Sequence, residues 1–277
     1  MSVAMSNRLG IAFVSLLALA GCGSSRTTYA RYPGAPPAFD KAGSTPQAVE
    51  VAEKVLAAAG GAAAWDKARQ IRWEQTHVIN GQPAAQGEEA WDRWNQRHWG
   101  RQETPEGSVF VAYDVYGTFA TTFAESKNGK KSMIEGPERG EIMKTAKIEL
   151  QQDVTVMLMP FLMLEPGNKL EYGEPLKDGD TEYHKLKVTF GDGDKLRAGL
   201  VYYAIVDKTT NVIRRVDIEA PSTHEKIGFE LSDWTEAGGL KFPATRKNLG
   251  SGELKQSKSF KVGEPDDTLY MMPLINS

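Results

Sequence analysis

The chain has 277 residues and a formal net charge of −3, with 33 Lys and Arg against 36 Asp and Glu. Acidic and basic residues are interspersed along the chain, and the chain is mildly acidic overall. This composition excludes a broad nucleic-acid-binding surface and a polybasic patch for anionic lipids. Cys22 is the only cysteine, so no intrachain disulfide can form and the fold must rest on a hydrophobic core. The length fits one mainly β domain, since such domains often run to about 200–250 residues.

The N-terminus has the three parts of a secretory signal. Arg8 precedes an apolar stretch at residues 11–20, and small residues follow up to Cys22. Ten apolar residues are too few to span a bilayer as a helix. We therefore predict a signal peptide at residues 1–21. In the alternative interpretation it is an ordinary cleaved signal and Cys22 has no special role.

The run LAGC at residues 19–22 resembles the lipobox of bacterial lipoproteins. The resemblance implies that Cys22 becomes the new N-terminus and carries acyl chains, such as palmitate, on its sulfur and nitrogen. Two or three chains anchor a protein stably, because each buried methylene contributes about 0.8 kcal/mol. Gly23 in place of Asp after the cysteine implies sorting to the outer membrane, and we expect the protein to face the periplasm.

Residues 22–44 are polar and proline-rich, which is typical of a flexible tether. A single domain is predicted to follow over residues 45–277. Thr45 and Pro46 suit the N-cap and first position of a helix, which the glycine pair at 60–61 ends. A short second helix is predicted at residues 62–67.

β-Strand patterns dominate the rest of the domain. Ile71 and Trp73 alternate with polar neighbours, and the following Asn-Gly pair at 80–81 is a strong signal for a two-residue hairpin. The return strand is predicted to carry aromatic residues from Trp91 to Trp99. Further strands are predicted at residues 109–115, 119–126, 183–190, 199–206, 212–219, 227–234, 240–246 and 257–262. Many short strands with turn signals between them predict an antiparallel sheet that curls.

A helical insert is predicted at residues 138–164, where apolar side chains recur at helical spacing. Asp153 suits the N-cap of a second helical piece, and Pro160 should kink or end it. The second piece reads VTVMLMPFLML and holds three of the nine methionines, whose side chains adapt to varied apolar shapes. It is our candidate lining for an apolar ligand site, through Val154, Met157, Leu158, Met159, Phe161, Leu162 and Met163. The alternative is a core helix packed under the sheet.

Six tryptophans are present, and three of them, Trp91, Trp94 and Trp99, are close in sequence. They cannot all point to one face of a regular strand, because successive side chains alternate between faces. At least one should therefore lie at an edge, in a bulge or on a rim. The default interpretation is that they pack in the core. The more specific interpretation is that they form a rim that touches lipid, because Trp, with its apolar ring and polar N–H, suits the boundary between apolar and aqueous surroundings.

Enzyme and metal signals are poor. His224 and Glu225 begin like the zinc-protease motif HExxH, but the fifth position is Gly228, so the second ligand is missing. The other histidines have no metal spacing, and the acidic run GDGD at residues 191–194 lacks the remaining ligands of a calcium loop. No serine or free cysteine lies in a nucleophile motif. We predict no catalytic residues, no metal and no cofactor.

Four segments resemble LolA/LolB-like outer-membrane lipoproteins and their largely uncharacterised relatives. These are MPFLMLEPG at residues 159–167, YYAIVDKTTNVI at 202–213, DWTEAGGLKFP at 233–243 and DDTLYMMP at 266–273. The resemblance covers most of residues 45–277, and the insert near residues 137–165 fits the uncharacterised relatives better than LolA itself. It implies a mainly β (α+β) fold, an incomplete and strongly curved antiparallel β-barrel with helices plugging its concave face. The best-known members carry lipoproteins or lipids in that apolar hollow.

These observations predict a lipid-anchored envelope protein that binds a hydrophobic ligand, a lipid or an acylated protein, in an apolar hollow, with a possible role as carrier. Two alternatives are an envelope interaction or sensor module that binds a protein partner, and a hydrolase whose residues are not recognised. The sequence predicts no nucleic-acid partner and leaves the oligomeric state open.

Overall fold

The computed structural model describes residues 39–192, 194, 196–223 and 225–271. The predicted signal peptide, the acylation site Cys22 and most of the tether lie outside the described residues. The helices are α1 (Pro46–Ala58), α2 (Ala62–Lys67), α3 (Gly136–Glu149), a π-helical segment (Leu150–Val154), α4 (Thr155–Leu162) and a 3₁₀-helix (Asp267–Tyr270). The strands are β1 (Gln70–Ile79), β2 (Gln82–Asp92), β3 (Arg97–Thr104), β4 (Gly107–Asp114), β5 (Ala120–Ser126), β6 (Lys131–Met133), β7 (Lys169–Tyr172), β8 (Leu176–Asp178), β9 (Thr181–Thr189), β10 (Val201–Asp207), β11 (Ile213–Ala220), β12 (Glu225–Ala237), β13 (Leu240–Asn248) and β14 (Leu254–Gly263).

The strands form one 14-stranded antiparallel sheet in the order β6-β5-β4-β3-β2-β1-β14-β13-β12-β11-β10-β9-β7, with β8 paired to β9. Most strands pair with their neighbours in sequence. The exceptions are that β1 pairs with β14, which joins the first and last strands in the middle of the sheet, and that β7 pairs with β9 and lies at the edge opposite β6. The predicted mainly β, antiparallel class is confirmed. These pairings leave β6 at one edge and β7 and β8 at the other, so the sheet is not closed by hydrogen bonds between the described strands.

Most predicted helices and turns are confirmed. Helix α1 begins at Pro46 after Thr45, and the chain leaves it at Gly60 and Gly61, both of which have positive φ. The Asn-Gly pair at 80–81 has φ of 52° and 76°, as a type I′ hairpin turn requires, and joins β1 to β2.

The predicted return strand from Trp91 to Trp99 is wrong, because it consists of two strands with a turn between them. The Asp92 carboxylate accepts hydrogen bonds from Asn95 N at 3.1 Å and from Arg97 Nε at 3.0 Å. Gln96 takes a positive φ of 51°. An aspartate that caps its own turn in this way ends β2 and lets β3 begin at Arg97.

The predicted helical insert is one unbroken helical run from Gly136 to Leu162, with a π-helical segment at Leu150–Val154. The prediction that Asp153 caps a second helix is wrong: Val154 and Thr155, on either side of the boundary, both have helical φ and ψ, and the Asp153 side chain is an ion-pair partner instead. The helix ends two residues after Pro160.

The main core lies on the face of the sheet that packs against the helices, which we call the helix face. Its buried side chains come from α1, α2, α4 and most strands, and the largest hydrophobic ones with almost no exposed surface are Trp73, Tyr113, Tyr202, Phe161 and Phe242. A small second cluster of Ala90, Trp99, Ala112 and Tyr270 lies on the opposite face, where the 3₁₀-helix covers β3 and β4. Among the described residues, no helix has the length and apolar character needed to cross a membrane.

Candidate ligand-binding site

Helix α4 is buried on all sides. The seven side chains predicted to line an apolar site are at most 3% exposed, and Met157, Leu158, Met159 and Met163 are fully buried. The ring of Phe161 stacks on Trp65 with centroids 4.6 Å apart and meets Phe242 at 5.8 Å. In this conformation the segment is therefore core that holds α1, α2 and the sheet together, as the alternative interpretation expected.

A cavity reaches α4 at Pro160, and we call it the α4 pocket. Its volume is about 420 Å³, and it lies between the C-terminal turn of α1 and the β10–β11 hairpin. Val55, Ala59, Ile213 and Trp234 also line it. The predicted apolar segment thus borders an open space at its proline.

The three clustered tryptophans lie in three different environments, so they do not all share one face of the sheet. Trp91 is 4% exposed and belongs to the main core, whereas Trp99 is 5% exposed and belongs to the cluster on the opposite face. Trp94 is half-buried in the turn between β2 and β3, where the guanidinium of Arg69 lies 4.5 Å from its ring centroid. Trp91 and Trp99 are therefore packed in cores. That Trp94 lies on a rim and touches lipid stays a prediction.

A buried polar network, which the sequence analysis did not predict, links the sheet to the middle of the long helix. Its members come from β1, β2, β3, β13, β14 and the helix, and they are Gln75, Glu89, His98, Arg246, Lys255, Glu149 and Asp153.

The part of the network in the sheet is centred on Glu89 of β2. Its Oε2 lies 3.1 Å from His98 Nε2, and its Oε1 accepts from Gln75 Nε2 at 3.3 Å. Gln75 Oε1 in turn accepts from Arg246 Nη2 at 2.7 Å. Arg246 is 2% exposed and also donates to Ser257 Oγ at 3.0 Å. Hydrogen bonds therefore run through five strands under the helix.

The part of the network in the helix consists of Asp153 in the π-helical segment and Glu149 at the end of α3. Asp153 Oδ1 lies 3.9 Å from Arg246 Nε, and Asp153 Oδ2 accepts from Lys255 Nζ. Lys255 Nζ also lies 3.9 Å from Glu149 Oε1. Because Asp153 is 2% exposed, these cations are what makes its burial tolerable.

Burial and charge act in opposite directions on the carboxyl groups of the network. Burial by itself raises the pKa of Glu89, but the hydrogen bond and charge of His98, together with two nearby cations, bring that pKa below its usual range. Burial raises the pKa of Glu149 to about 7 against the opposing charge of Lys255, and the carboxylates of Glu89 and Asp153 add to the rise. Glu149 therefore changes its charge near neutral pH while Glu89 stays ionised.

An amphipathic cavity of about 320 Å³ lies between α3 and strands β3 and β4 beside this network. Its apolar wall includes Val109, Val111, Ile142 and Ala146, and its polar end includes Glu89 and His98. We call it the α3 groove. Within α3 the lining positions recur at i, i+4 spacing, so one face of the helix closes the cavity.

A smaller cavity of about 90 Å³ continues the α3 groove at its polar end, and we call it the polar extension. The two cavities share Glu89, Arg101, Gln102 and Glu149, and the polar extension reaches Gln75 and Lys255. An apolar wall that leads to converging polar groups with a perturbed pKa is the arrangement typical of small-molecule sites.

Metal ligation has little support in the described parts of the chain. No group of three or more His, Cys, Asp or Glu side chains in the described residues could hold a metal ion. His224, which opens the incomplete zinc motif, lies outside the described residues. In the GDGD run, the Asp194 carboxylate is engaged by Arg197 Nε at 2.7 Å and by Tyr116 at 3.1 Å.

Comparisons with known proteins give structural matches at low sequence identity. A DUF1329 family protein from Desulfovibrio piger matches with a TM-score of 0.51 and 8% identity, over 84% of this chain and 100% of that one. LolA superfamily protein NE2245 from Nitrosomonas europaea matches with a TM-score of 0.48 and 11% identity, over 81% and 97% of the two chains. A putative outer membrane lipoprotein-sorting protein domain from Vibrio parahaemolyticus matches with a TM-score of 0.44 and 9% identity, over 80% of this chain and 96% of that one.

No family model matches the chain, and a search of curated proteins finds no match. The predicted resemblance to LolA-type proteins is thus confirmed as a structural match at low identity. At sequence identities this low, a match concerns the fold alone. The two structures that match with TM-scores below 0.5 support no inference about function.

Proposed function

We propose that this protein is an outer-membrane lipoprotein, anchored through acylated Cys22 and facing the periplasm, that binds a hydrophobic ligand on the helix face of its sheet. The ligand is a lipid or the acyl chain of a lipoprotein, and binding proceeds by apolar burial without covalent chemistry. No catalytic residue, metal or cofactor is part of the proposal.

The core supports the further proposal that the sheet curls around the helices as an incomplete barrel. A single hydrophobic cluster joins α4 to Val111 and Tyr113 of β4 in one half of the sheet and to Leu170 of β7 and Leu186 of β9 in the other. Strands far apart in the strand order thus contribute to one continuous core with the helices, which supports a sheet that bends towards them.

The observation that carries the proposal is that the long helix lies between two cavities of ligand size. The α3 groove of about 320 Å³ and the α4 pocket of about 420 Å³ both fall in the range typical of small-molecule sites. Between them, α4 is apolar around its whole circumference and packs against α1, α2 and the sheet, so a shift of α4 would expose apolar surface to a ligand.

The seven residues predicted to line an apolar site, between Val154 and Met163, are buried in the described conformation. In this proposal they form the wall of a ligand site that is closed in that conformation. A ligand contacts them when α4 shifts away from the sheet. The π-helical segment before α4 is the natural hinge for that shift, because π-helical turns inside α-helices are rare and frequent at functional sites.

The test replaces the apolar side chains singly, as Met157→Gln, Met159→Gln, Leu162→Gln and Met163→Gln. Thermal melts and the binding of a fluorescent fatty acid are measured for each variant. In the closed conformation each Gln amide is buried, so the variants should melt below wild type. At least one of them should also bind the probe more weakly than its folded fraction explains, because its side chain contacts the ligand.

Leu186→Gln is the matched control, because Leu186 is fully buried in the same core but lies on β9, outside the helix. It should lose stability, and probe binding should fall only as far as the folded fraction falls. If binding falls only as far as the folded fraction in all four α4 variants, or if wild type never binds the probe, the proposal fails. The interaction-module hypothesis would then be preferred.

A further inference from the structure

The polar end of the α3 groove indicates which class of amphiphile the site accepts. We infer that the groove binds a single acyl chain with an uncharged, hydroxyl-bearing headgroup, such as glycerol or a sugar, and that the headgroup binds His98 and the polar extension. This inference rests on the proposed hydrophobic-ligand function and adds the chemistry of the ligand to it.

The first step of the argument is the amphipathic shape of the space. Val109 and Val111 from β4 and Ile142 and Ala146 from α3 form apolar walls that suit one hydrocarbon chain. The walls lead to Glu89 and then into the polar extension of about 90 Å³. One chain with one small polar head therefore matches both the apolar length and the polar end.

The second step is the free nitrogen of a buried histidine. His98 is 2% exposed and lines the groove, and its Nδ1 has no hydrogen-bond partner among the described residues. Since the Glu89 carboxylate binds Nε2, that nitrogen carries a hydrogen. Nδ1 then accepts in the neutral imidazole and donates in the imidazolium. A ligand hydroxyl serves both states because it can donate and accept, whereas an ammonium only donates and a carboxylate only accepts.

The third step is the balance of charge around the headgroup space. The carboxylates that reach it, Glu89 and Glu149, lie beside His98 and Lys255, and Lys255 also pairs with Asp153. The other described cations that line the polar extension each lie beside a carboxylate: His77 Nε2 is 3.5 Å from Glu253, and Nη2 of Arg101, which lines both cavities, is 3.0 Å from Glu103. A charged headgroup would enter this space unmatched, which is costly in a partly buried site.

The fourth step is the presence of neutral hydrogen-bonding groups in the same space. Gln75 and Gln102 both line the polar extension, and Gln102 also lines the groove. Amides and carboxylates offer donors and acceptors that hydroxyl groups can satisfy without a change in charge. The set of side chains therefore matches a polyol better than an ion.

The test compares four ligands with the same twelve-carbon chain: 1-monolauroylglycerol, laurate, dodecylammonium and dodecyl phosphate. Their binding to the full-length Cys22→Ser protein, exported to the periplasm, is measured by titration calorimetry below the micelle concentration. We expect monolauroylglycerol to bind at least about tenfold more tightly than the three charged ligands, because they leave an unmatched charge in the site.

Two variants locate the headgroup. His98→Gln keeps an amide donor for Glu89 and removes Nδ1, and Gln102→Leu removes an amide from an exposed wall position. Each should weaken monolauroylglycerol about three- to tenfold, the effect of one neutral hydrogen bond, and leave laurate unchanged. If His98→Gln does not fold, Gln102→Leu decides the question alone. Gln256→Leu is the matched control, since Gln256 is an exposed glutamine of β14 and lies outside both cavities.

Equal binding of all four ligands, or a preference for a charged one, overturns this inference and leaves the hydrophobic-ligand proposal standing. The inference also fails if Gln256→Leu weakens monolauroylglycerol as much as Gln102→Leu does. If none of the four ligands binds, the inference and the proposed function fail together.

Discussion

Replacing Arg246 by Met tests whether the buried network stabilises the fold. Arg246 is 2% exposed, and its guanidinium donates to Gln75 at 2.7 Å and to Ser257 at 3.0 Å. It also lies 3.9 Å from the carboxylate of Asp153. Met fills a similar volume, so Arg246→Met removes the charge and the donors without leaving a large cavity.

We expect Arg246→Met to lower the free energy of unfolding by about 3 kcal/mol. Removing one partner from a buried ion pair costs about 3–5 kcal/mol because the other charge remains buried. The lower end applies here, since Asp153 keeps Lys255 as a second cation. Asp153→Leu added to Arg246→Met should return part of the loss, with a coupling of about 1–3 kcal/mol, because no buried carboxylate is then left short of a cation.

Urea unfolding of the wild type, both single variants and the double variant completes a double-mutant cycle. Arg214→Met is the control: Arg214 has a 46% exposed side chain and lies 3.8 Å from Asp207, so its loss should cost less than about 1 kcal/mol. If Arg246→Met costs no more than Arg214→Met, or if the two network substitutions are additive, the network does not stabilise the fold as argued.

Three further predictions concern protonation, backbone geometry and anchoring. Burial raises the pKa of Glu149 to about 7, so the folded state holds its proton more tightly than the unfolded one; this contribution to stability is full below the unfolded pKa and is lost as pH rises through 7. The melting temperature of Glu149→Gln should therefore rise relative to wild type between pH 5 and pH 8, and parallel pH profiles would contradict this. Gly60→Ala should cost at least about 1 kcal/mol, because Gly60 has φ +120° and a Cβ there would lie 2.1 Å from the Gly239 carbonyl oxygen. Gly140→Ala, an exposed position inside α3 with no atom within 4 Å, should instead add about 0.5–1 kcal/mol, and both are read from urea midpoints. Cys22→Ser should move the protein from the membrane fraction to the soluble periplasm, and a variant that stays membrane-bound after a salt wash would refute anchoring by acylation.

Local signals in the sequence are enough to predict much of the fold. Pro46 after Thr45 starts α1, and the Asn-Gly pair at 80–81 makes the first hairpin, because these residues fix the backbone dihedrals that their positions need. The break between β2 and β3 was missed because it depends on one side chain. Asp92 binds its own turn in the middle of a run of aromatic residues that otherwise favours one long strand.

The candidate site is less predictable, because it depends on contacts between residues distant in sequence. Arg246 lies 93 positions from Asp153, and Glu89 lies nine from His98, so no short motif contains the network. The sequence does contain a weak signal of a buried charge. Glu89 is two residues before buried Trp91 on the same strand and therefore shares its face. A charged residue at an inward position of a strand predicts a buried pair, but the partner becomes visible only in three dimensions.

The central claim, that the helix face holds one amphiphile, is tested most directly by native mass spectrometry. The full-length Cys22→Ser protein, purified from the periplasm without detergent, is measured alone and after incubation with 1-monolauroylglycerol. The account predicts a 1:1 noncovalent adduct that is lost on collisional activation, either a copurified lipid or the added ligand. A spectrum that shows only the bare protein mass in both samples, from protein with a cooperative thermal melt, would contradict the claim.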